Sequence, residues 1–386
     1  MRLTELLKAV SFSSPPRCRV IVFDSTGAEL LVRMSLEGFS HWVFPARFER
    51  FYFGLPILFR MVVNLFRHVG WMPPFTPTSL RGFLFRVYAK SCLEHSCPIV
   101  VVTFVENSYT FQWLSRACKG VRFIAVQNGM RLVDNVTTSL PLSPDPASVI
   151  SLPDFLCFGE FERDLYLKYG HKIDRFHPVG SLRGGYYRNV LMSKKVPSPA
   201  FDICLVSEWD RSIMTGSYFP EFRKALRFLE SFLKRYAQEQ KVRVSIAGRH
   251  QDDSEAAEEE AYYRALIPEA EFIRCDRLRM STYFAMDNSR VVLSVCCTAA
   301  LEALGWGKKA LFCNFTGLKS YDHPLPKGCL LSEPDYGLFK DSLDALIEIP
   351  DAEFLSVSSA AAAYRMNYSG APAHEYLRRM LEETLA

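Results

Sequence analysis

Short apolar runs alternate with segments of helical periodicity along most of the chain. The apolar runs predict strands at 19–24, 40–44, 98–105, 121–126, 154–159, 201–206, 242–247 and 272–275. Helical segments fall between them, from 28 onward and at 109–118, 160–169, 220–239, 252–260 and 280–287, and a Ser-, Pro- and Thr-rich stretch at 137–153 predicts a loop. Continuous apolar strands separated by helices are typical of parallel, doubly wound α/β sheets.

The alternation of strands and helices starts again after a Lys-, Pro- and Ser-rich stretch at 193–199. A chain of 386 residues is long enough for two domains of roughly 150–200 residues each. We therefore predict a first Rossmann-like domain over residues 1–190 and a second over residues 191–363. Residues 364–386 are expected to form a C-terminal helix that packs back on the first domain.

The segment from Val291 to Cys313 carries the most specific pattern. An apolar run ends in small polar residues, a helix follows, and Gly305 and Gly307 end that helix before a second apolar run. The first turn of a helix has backbone N–H groups without intrahelical partners, and these can bind a phosphate. The segment therefore predicts a nucleotide site at Thr298, with Glu302 bound to the ribose hydroxyls. The alternatives are a plain helix cap for Thr298 and a carboxylate that stabilises the helix dipole for Glu302.

Other short motifs lie at the ends of predicted strands in both halves. They are Asp24-Ser-Thr-Gly27, Val102-Thr-Phe-Val-Glu-Asn107, Val126-Gln-Asn-Gly-Met-Arg131, Phe158-Gly159, Val179-Gly-Ser181, Ala247-Gly-Arg249 and the segment 294–309. In this order the chain resembles GT-B glycosyltransferases of bacterial surface-polysaccharide (O-antigen or capsule) biosynthesis, nearest to CMP-Kdo and CMP-sialic acid transferases and CDP-glycerol transferases. The resemblance implies two Rossmann-like domains facing across a cleft, with the nucleotide donor bound by the second domain and the acceptor by the first.

On that resemblance, we expect the second half to bind the donor. Arg249 follows a predicted strand and a glycine, and its guanidinium is suited to phosphate oxygens, although a surface ion pair is the alternative. The expected donor-binding residues are Ser207, Glu208, Arg249, Cys297, Thr298, Ala299, Glu302 and His323. We expect no metal or other cofactor, because helix N-termini and basic side chains can stabilise the leaving phosphate.

The acceptor hydroxyl must lose a proton, which requires a base in the cleft. Glu106 is the leading candidate because it follows a buried strand, and Asp134 and Asp24 are the alternatives. Some CMP-sugar transferases carry an acidic pair before a glycine where this chain has an amide pair, which cannot take up a proton at neutral pH. The residues of that turn are therefore expected to bind the acceptor or donor through hydrogen bonds: Gln127, Asn128, Gly129 and Arg131.

Composition and charge restrict the other function classes. A net charge of +4 is small for a chain of this length, so nucleic-acid binding is not expected. The eleven cysteines are scattered without a CxxC pair or a zinc-like spacing, which favours reduced thiols. The N-terminus shows no apolar signal segment. We therefore expect a cytoplasmic protein.

One strongly apolar segment, residues 51–71, complicates that expectation. Arg60, Asn64 and Arg67 interrupt it, so a membrane-spanning helix is not expected. Two interpretations stay open: a core helix with a narrow polar face, or a helix that lies on a membrane surface with its arginines at the lipid headgroups. The second would make the protein peripheral at the inner membrane face.

The sequence therefore predicts a glycosyltransferase that uses a nucleotide sugar, with a CMP-sugar favoured, and a polysaccharide or lipid-linked glycan as acceptor. Three alternatives stay open. They are a CDP-polyol phosphotransferase, an enzyme of the two-domain UDP-sugar epimerase type, and a non-catalytic partner in glycan assembly.

Overall fold

The computed structural model describes residues 10–386 except 48, 69, 71–76, 132–148, 193–198 and 217–218. The described chain is built around two six-stranded sheets, and helices alternate with their strands along the chain. Every strand pair in both sheets is parallel. The predicted α/β class with two parallel sheets is confirmed.

The described residues of the first half form eight strands: β1 (Val10–Ser11), β2 (Val20–Phe23), β3 (His41–Phe44), β4 (Phe51–Tyr52), β5 (Val100–Thr103), β6 (Arg122–Val126), β7 (Ser151–Cys157) and β8 (Lys172–Pro178). The sheet order is β3-β2-β5-β6-β7-β8, and β1 pairs with β4 separately. All residues of β2 and β5 are buried, which explains their uninterrupted Val and Ile content.

The helices of the first half are α1 (Ala28–Leu31), α2 (Leu55–His68), α3 (Pro77–Ser96), α4 (Tyr109–Ala117), α5 (Glu160–Lys168) and α6 (Leu182–Tyr186). A π-helical turn extends α1 over Val32–Leu36, and another extends α6 over Tyr187–Leu191. The α4 helix begins at the predicted position because the Ser108 hydroxyl accepts a hydrogen bond from the Phe111 amide.

The second half contains β9 (Phe201–Val206), β10 (Val244–Ala247), β11 (Glu271–Ile273), β12 (Ser289–Ser294), β13 (Lys309–Cys313) and β14 (Leu330–Leu331), in the sheet order β11-β10-β9-β12-β13-β14. Its helices are α7 (Arg211–Thr215), α8 (Pro220–Gln240), α9 (Asp253–Leu266), α10 (Ser281–Asp287), α11 (Thr298–Gly305), α12 (Tyr336–Glu348) and α13 (Asp351–Arg365), with a 3-10 turn at Lys319–Tyr321. A last helix, α14 (Ala373–Leu385), ends the chain.

Both sheets reverse their winding direction beside a central strand. The second sheet grows from β9 to β10 and β11, and the chain then returns to place β12 on the other side of β9. The first sheet does the same, with β5 placed beside β2. Crevices open at the carboxyl ends of strands at such switch points, and ligands of α/β proteins bind there.

The last helix, α14, returns to the first half of the chain. The Arg122 guanidinium donates to the Thr384 hydroxyl over 2.7 Å, and the Arg378 guanidinium donates to the Glu37 carbonyl over 2.9 Å. The helix begins at Ala373 and not at 364, because Gly370 and Pro372 lie in the non-helical stretch between α13 and α14. The boundary expected near residue 190 stays a prediction.

Two local predictions fail in the first half. The loop expected over 137–153 is contradicted at its end, because β7 already begins at Ser151. The edge strand β8 was not predicted, since Lys172, Asp174 and Arg175 interrupt its apolar pattern. As an edge strand it can carry such charges without burying them.

Candidate functional site

A cavity of about 600 Å³ lies at the switch point of the second sheet. Its walls come from the ends of β9, β10 and β12, from the start of α11, and from Leu30 and Arg183 of the first half. This volume falls within the range of small-molecule sites, roughly 300–1,000 Å³. The lining residues are Leu30, Arg183, Val206, Ser207, Glu208, Ile213, Phe219, Phe222, Gly248, Arg249, Cys275, Asp276, Arg277, Met280, Thr282, Tyr283, Cys296, Cys297, Thr298, Ala299 and Tyr321.

The amino end of α11 forms part of the cavity wall. Cys297 is the N-cap residue with extended backbone, and its amide donates to the Ser294 hydroxyl over 2.6 Å. The helix then runs through good helix formers and gives way to Gly307, whose φ of 96° suits a glycine. The predicted strand–turn–helix is confirmed, and the positive end of its dipole faces the cavity.

The turn before α11 is held by Glu208. Its carboxylate accepts hydrogen bonds from the Ser294 hydroxyl at 3.0 Å and from the amides of Val295 at 2.6 Å and Cys296 at 3.0 Å. Burial raises the pKa of Glu208, and these donors act in the opposite direction. Glu208 thus links the ends of β9 and β12 and fixes the shape of the phosphate-sized turn.

Thr298 joins the two halves of the protein. Its hydroxyl oxygen accepts a hydrogen bond from the Met130 amide over 2.9 Å, across the cleft. A β-carbon added at Gly129 would lie 3.6 Å from the same oxygen, an ordinary contact distance. The turn after β6 therefore covers one approach to the start of α11 and leaves the side toward the cavity open.

Three arginines line the cavity. The Arg183 guanidinium donates to the Asn128 carbonyl over 2.7 Å, and its buried Nε atom has no hydrogen-bond partner among the described residues. Burial lowers the pKa of Arg183, but the neighbouring Tyr283 and Glu302 outweigh it and leave the pKa raised. The Arg249 guanidinium is half-exposed and lies 3.5 Å from an Asp210 oxygen. Arg277 is exposed.

Three thiols also line the cavity, at Cys275, Cys296 and Cys297. Burial raises the pKa of Cys297 to about 12, against the effect of the amides of Ala299 and Ala300. A raised pKa favours the protonated thiol at neutral pH, which is the less nucleophilic form.

Six of the predicted donor-binding residues meet in this cavity: Ser207, Glu208, Arg249, Cys297, Thr298 and Ala299. Ser207 has a structural part as well, since its hydroxyl accepts from the Trp209 amide over 3.2 Å. The roles assigned to these six residues stay predictions.

Glu302 does not reach the cavity. Its carboxylate is fully buried and accepts hydrogen bonds from the Ser181 and Tyr283 hydroxyls, with the Arg183 Nε atom 3.9 Å away. In this arrangement the carboxylate binds protein hydroxyls, and its expected contact with ribose stays a prediction. Glu302 instead ties α11 to the start of α6, and through Arg183 it affects the charge of the cavity wall.

His323 lies elsewhere, against α13. Its Nδ1 atom is 3.4 Å from an Arg365 nitrogen, and burial, assisted by Arg365, lowers the pKa of His323 to about 3. His323 does not line the cavity, and its expected role at the leaving phosphate stays a prediction. The Arg365 guanidinium is itself fully buried between Glu162 and the Phe161 ring.

The expected bases are bound to cations. Glu106 is fully buried and forms an ion pair with Arg131. Asp24 accepts from the Thr26 amide at 2.9 Å and from the Arg47 Nε atom at 3.0 Å. Neither of these two carboxylates lines the cavity, and their assignment as bases stays a prediction. Asp134 lies outside the described residues and stays a prediction.

The amide turn has a structural role. The Gln127 side chain accepts from the Phe158 amide at 2.9 Å and donates to the Gly129 carbonyl at 3.0 Å. Asn128 accepts from the Arg131 guanidinium at 3.4 Å. None of these four residues lines the cavity. They position the backbone that meets Arg183 and Thr298.

Arg183 is the main lining residue that sequence reasoning missed. It lies two residues after the Val179-Gly-Ser181 motif, which itself follows directly on β8. Because β8 was not predicted, the rule that strand ends carry ligand-binding side chains could not be applied there.

Comparison with solved structures identifies the fold as GT-B. The UDP-GlcNAc 2-epimerase from Neisseria meningitidis bound to UDP-GlcNAc matches with a TM-score of 0.52 and 14% identity, over 95% of this chain and 98% of that one. S. aureus MnaA with UDP matches with a TM-score of 0.54 and 12% identity, over 95% and 96%. The wall teichoic acid polymerase TagF with CDPG matches with a TM-score of 0.51 and 12% identity, over 99% and 92%. At these identities the likeness establishes the fold alone.

No curated protein matches the chain significantly by sequence. A family match does exist, and it spans the end of the first sheet, the cavity-forming strands and α11. Residues 124–327, slightly more than half of the chain, match the family described as "putative O-antigen biosynthesis protein", and the chain therefore belongs to that family.

Proposed function

We propose that the protein is a glycosyltransferase that moves a sugar from a nucleotide-activated donor to a surface polysaccharide or a lipid-linked glycan. The observation that carries this proposal is the cavity at the switch point of the second sheet, where three arginines and the amino end of α11 meet. Membership of an O-antigen biosynthesis family supports a role in glycan assembly.

The donor phosphate would bind at the start of α11. There the helix dipole favours an anion, and Arg183 and Arg249 supply charge-assisted hydrogen bonds from opposite halves of the protein. The apolar wall around Phe219, Phe222 and Tyr321 suits the base of the nucleotide. When the glycosidic bond breaks, the same cationic groups would stabilise the charge that develops on the leaving phosphate. This arrangement supports transfer without a metal ion.

The donor nucleotide and the catalytic base are ranked as follows. The resemblance to CMP-sugar transferases ranks a CMP-activated sugar first, and TagF and MnaA, whose structures contain CDPG and UDP, keep CDP and UDP donors as alternatives. With Glu106 and Asp24 held in ion pairs, Asp134 is the remaining candidate among the three expected bases. The epimerase alternative is weaker, because the described cavity lining contains no histidine and Glu208 is fully engaged.

A second candidate is a non-catalytic glycan-assembly partner that binds a nucleotide sugar. Two observations favour it: Glu106 and Asp24 both form ion pairs with arginines, and neither lines the cavity. The two proposals agree on nucleotide binding and differ only in turnover.

Thermal-shift measurements with CMP, CDP, UDP and GDP test the shared part. A nucleotide at about 100 times its Kd stabilises the folded protein by roughly 2.7 kcal/mol, which gives a clear rise in Tm. Arg183→Gln and Arg249→Gln should each weaken binding of that nucleotide by about tenfold or more. Arg279→Gln serves as the matched control, because Arg279 is 88% exposed and lies outside the cavity.

The stabilising nucleotide then selects the donor sugars for an assay of nucleotide release. Release that depends on an added glycan acceptor supports the transferase. Binding without release from any donor supports the assembly partner. If no nucleotide raises Tm, or if the two cavity variants respond like Arg279→Gln, the site assignment is wrong.

A further inference from the structure

Helix α2 is amphipathic with its apolar side turned outward. Leu55, Phe59 and Phe66 are 83%, 71% and 74% exposed. The exposed positions recur at the spacing of one helical stripe, which defines the apolar face of α2: Leu55, Leu58, Phe59, Val62, Leu65 and Phe66. A surface helix of a globular domain normally buries such a stripe, so the structure excludes the interpretation of α2 as an ordinary core helix.

A polar cluster beneath α2 fixes this orientation. Asn64, on the opposite side of the helix, is fully buried. Its side-chain amide donates to the Ser91 hydroxyl at 3.1 Å and to a Glu94 oxygen at 2.7 Å, and it accepts from the Lys90 ammonium at 3.1 Å. Rotating α2 to bury its apolar face would break these three bonds, and buried polar groups without partners are costly. The hydrogen bonds of Asn64 therefore hold α2 with its apolar face toward solvent.

A segment hydrogen-bonded to the residues just before α2 carries another exposed apolar side chain. Phe12, directly after β1, is 85% exposed. The chain beside it is hydrogen-bonded to the start of α2, from the Phe53 amide to the Ser11 carbonyl at 2.8 Å and from the Gly54 amide to the Ser13 carbonyl at 3.1 Å. Contiguous exposed apolar surface of this kind marks an interaction site.

The charge on α2 itself is of one sign. The helix carries Arg60 and Arg67 and no Asp or Glu, while Lys90 beneath it is buried and paired with Glu94. Arg60 and Arg67 are seven residues apart and so share one flank of α2. Each basic residue near an anionic lipid surface contributes about 1 kcal/mol to binding. A protein partner of mixed charge would not require this uniform sign.

We propose that the apolar face of α2 binds the surface of an anionic phospholipid membrane, with the helix lying in the plane of the interface. The fourteen residues of α2 span roughly 21 Å, less than the ~30 Å of a bilayer core. Among the described residues no helix is long and apolar enough to cross a membrane. The proposal goes beyond sugar transfer and does not depend on it, because it rests only on this surface.

Co-sedimentation of the full chain with lipid vesicles tests the proposal. One vesicle type is phosphatidylcholine alone, and the other is an equal mixture of phosphatidylcholine and phosphatidylglycerol. The protein should sediment with the mixed vesicles and much less with the neutral ones, and added salt should release it. Phe59→Ser with Phe66→Ser should weaken binding by about tenfold or more per residue. Arg60→Gln with Arg67→Gln should weaken binding to the mixed vesicles only.

Matched controls separate this surface from general stickiness. Val357→Ser removes an apolar side chain that is 69% exposed on α13, and Arg235→Gln removes an exposed arginine on α8. Both should bind vesicles like the wild type. Equal binding of all variants, equal binding to neutral vesicles, or a concentration-dependent dimer that Phe59→Ser abolishes while no vesicle binds would each overturn the proposal. Nucleotide-dependent Tm shifts should stay unchanged in every variant, so a failure here is distinct from failure of the proposed function.

Discussion

Replacing Glu106 by glutamine distinguishes a structural carboxylate from a catalytic base. Glu106 has no exposed surface and forms an ion pair with Arg131, whose side chain is only 11% exposed. Burial lowers the pKa of Arg131, but Glu106 raises it enough to leave a net increase. The Glu106→Gln variant keeps the shape of the side chain and leaves a buried guanidinium without its counter-charge.

The expected cost follows from that geometry. Removing one partner of a buried ion pair costs about 3–5 kcal/mol, because the remaining charge is desolvated and uncompensated. For a domain of 150–250 residues, each kcal/mol shifts Tm by about 2–4 °C, so Tm should fall by roughly 10 °C. The double variant Glu106→Gln with Arg131→Met removes both charges and should recover most of the loss.

Urea denaturation followed by circular dichroism measures these differences. Glu37→Gln is the control, since Glu37 is an exposed carboxylate on the same half of the protein. Turnover of the folded variant, measured below its midpoint of unfolding, should remain near that of the wild type. A Glu106→Gln protein with unchanged stability and lost turnover would refute the structural interpretation and restore Glu106 as the base.

Two pH-dependent predictions follow from buried groups outside the cavity. Burial raises the pKa of Glu230 from 4.5 to about 7, while its carboxylate accepts a hydrogen bond from the Tyr262 hydroxyl; the wild type therefore loses stability as pH rises from 4.5 to 7, and Glu230→Gln should gain up to about 3 kcal/mol at pH 8 in urea denaturation, with no gain at pH 4. Burial lowers the pKa of His323 from 6.5 to about 3, so the wild type loses stability as pH falls below 6.5. His323→Gln should lose about 2 kcal/mol less than the wild type between neutral pH and pH 5 in the same assay, and equal losses would contradict the burial of a neutral imidazole.

The elements that the sequence predicts well are those with a strong local pattern. The strands β5 and β9 are mostly apolar runs, and α11 combines helix formers with terminating glycines, so their positions follow from local chemistry. The strand β8 and the start of α14 are harder to predict from the sequence. The edge position of β8 and the return of α14 to the first half are properties of the assembled fold.

The side chains at the site were less predictable for a physical reason. Glu106 and Glu208 follow strands and Glu302 lies one turn inside α11, positions where a carboxylate can face a ligand or bind groups of the protein itself. Only the assembled structure reveals that Arg131 pairs with the first and that Ser181 and Tyr283 donate to the second. These partners are 25, 121 and 19 residues away in sequence.

The amide turn after β6 illustrates why an acidic pair would not fit at this position of the chain. Gln127 is 1% exposed, and its side chain must both accept from the Phe158 amide and donate to the Gly129 carbonyl. A glutamate could accept but, when ionised, could not donate, and it would set two oxygens 3.0 Å apart without a hydrogen between them. The same turn presents the Met130 amide to Thr298, so its shape also fixes how the first half meets α11. A proton carrier at position 127 would therefore disrupt the contact between the halves, and the base of a transferase must come from outside this turn.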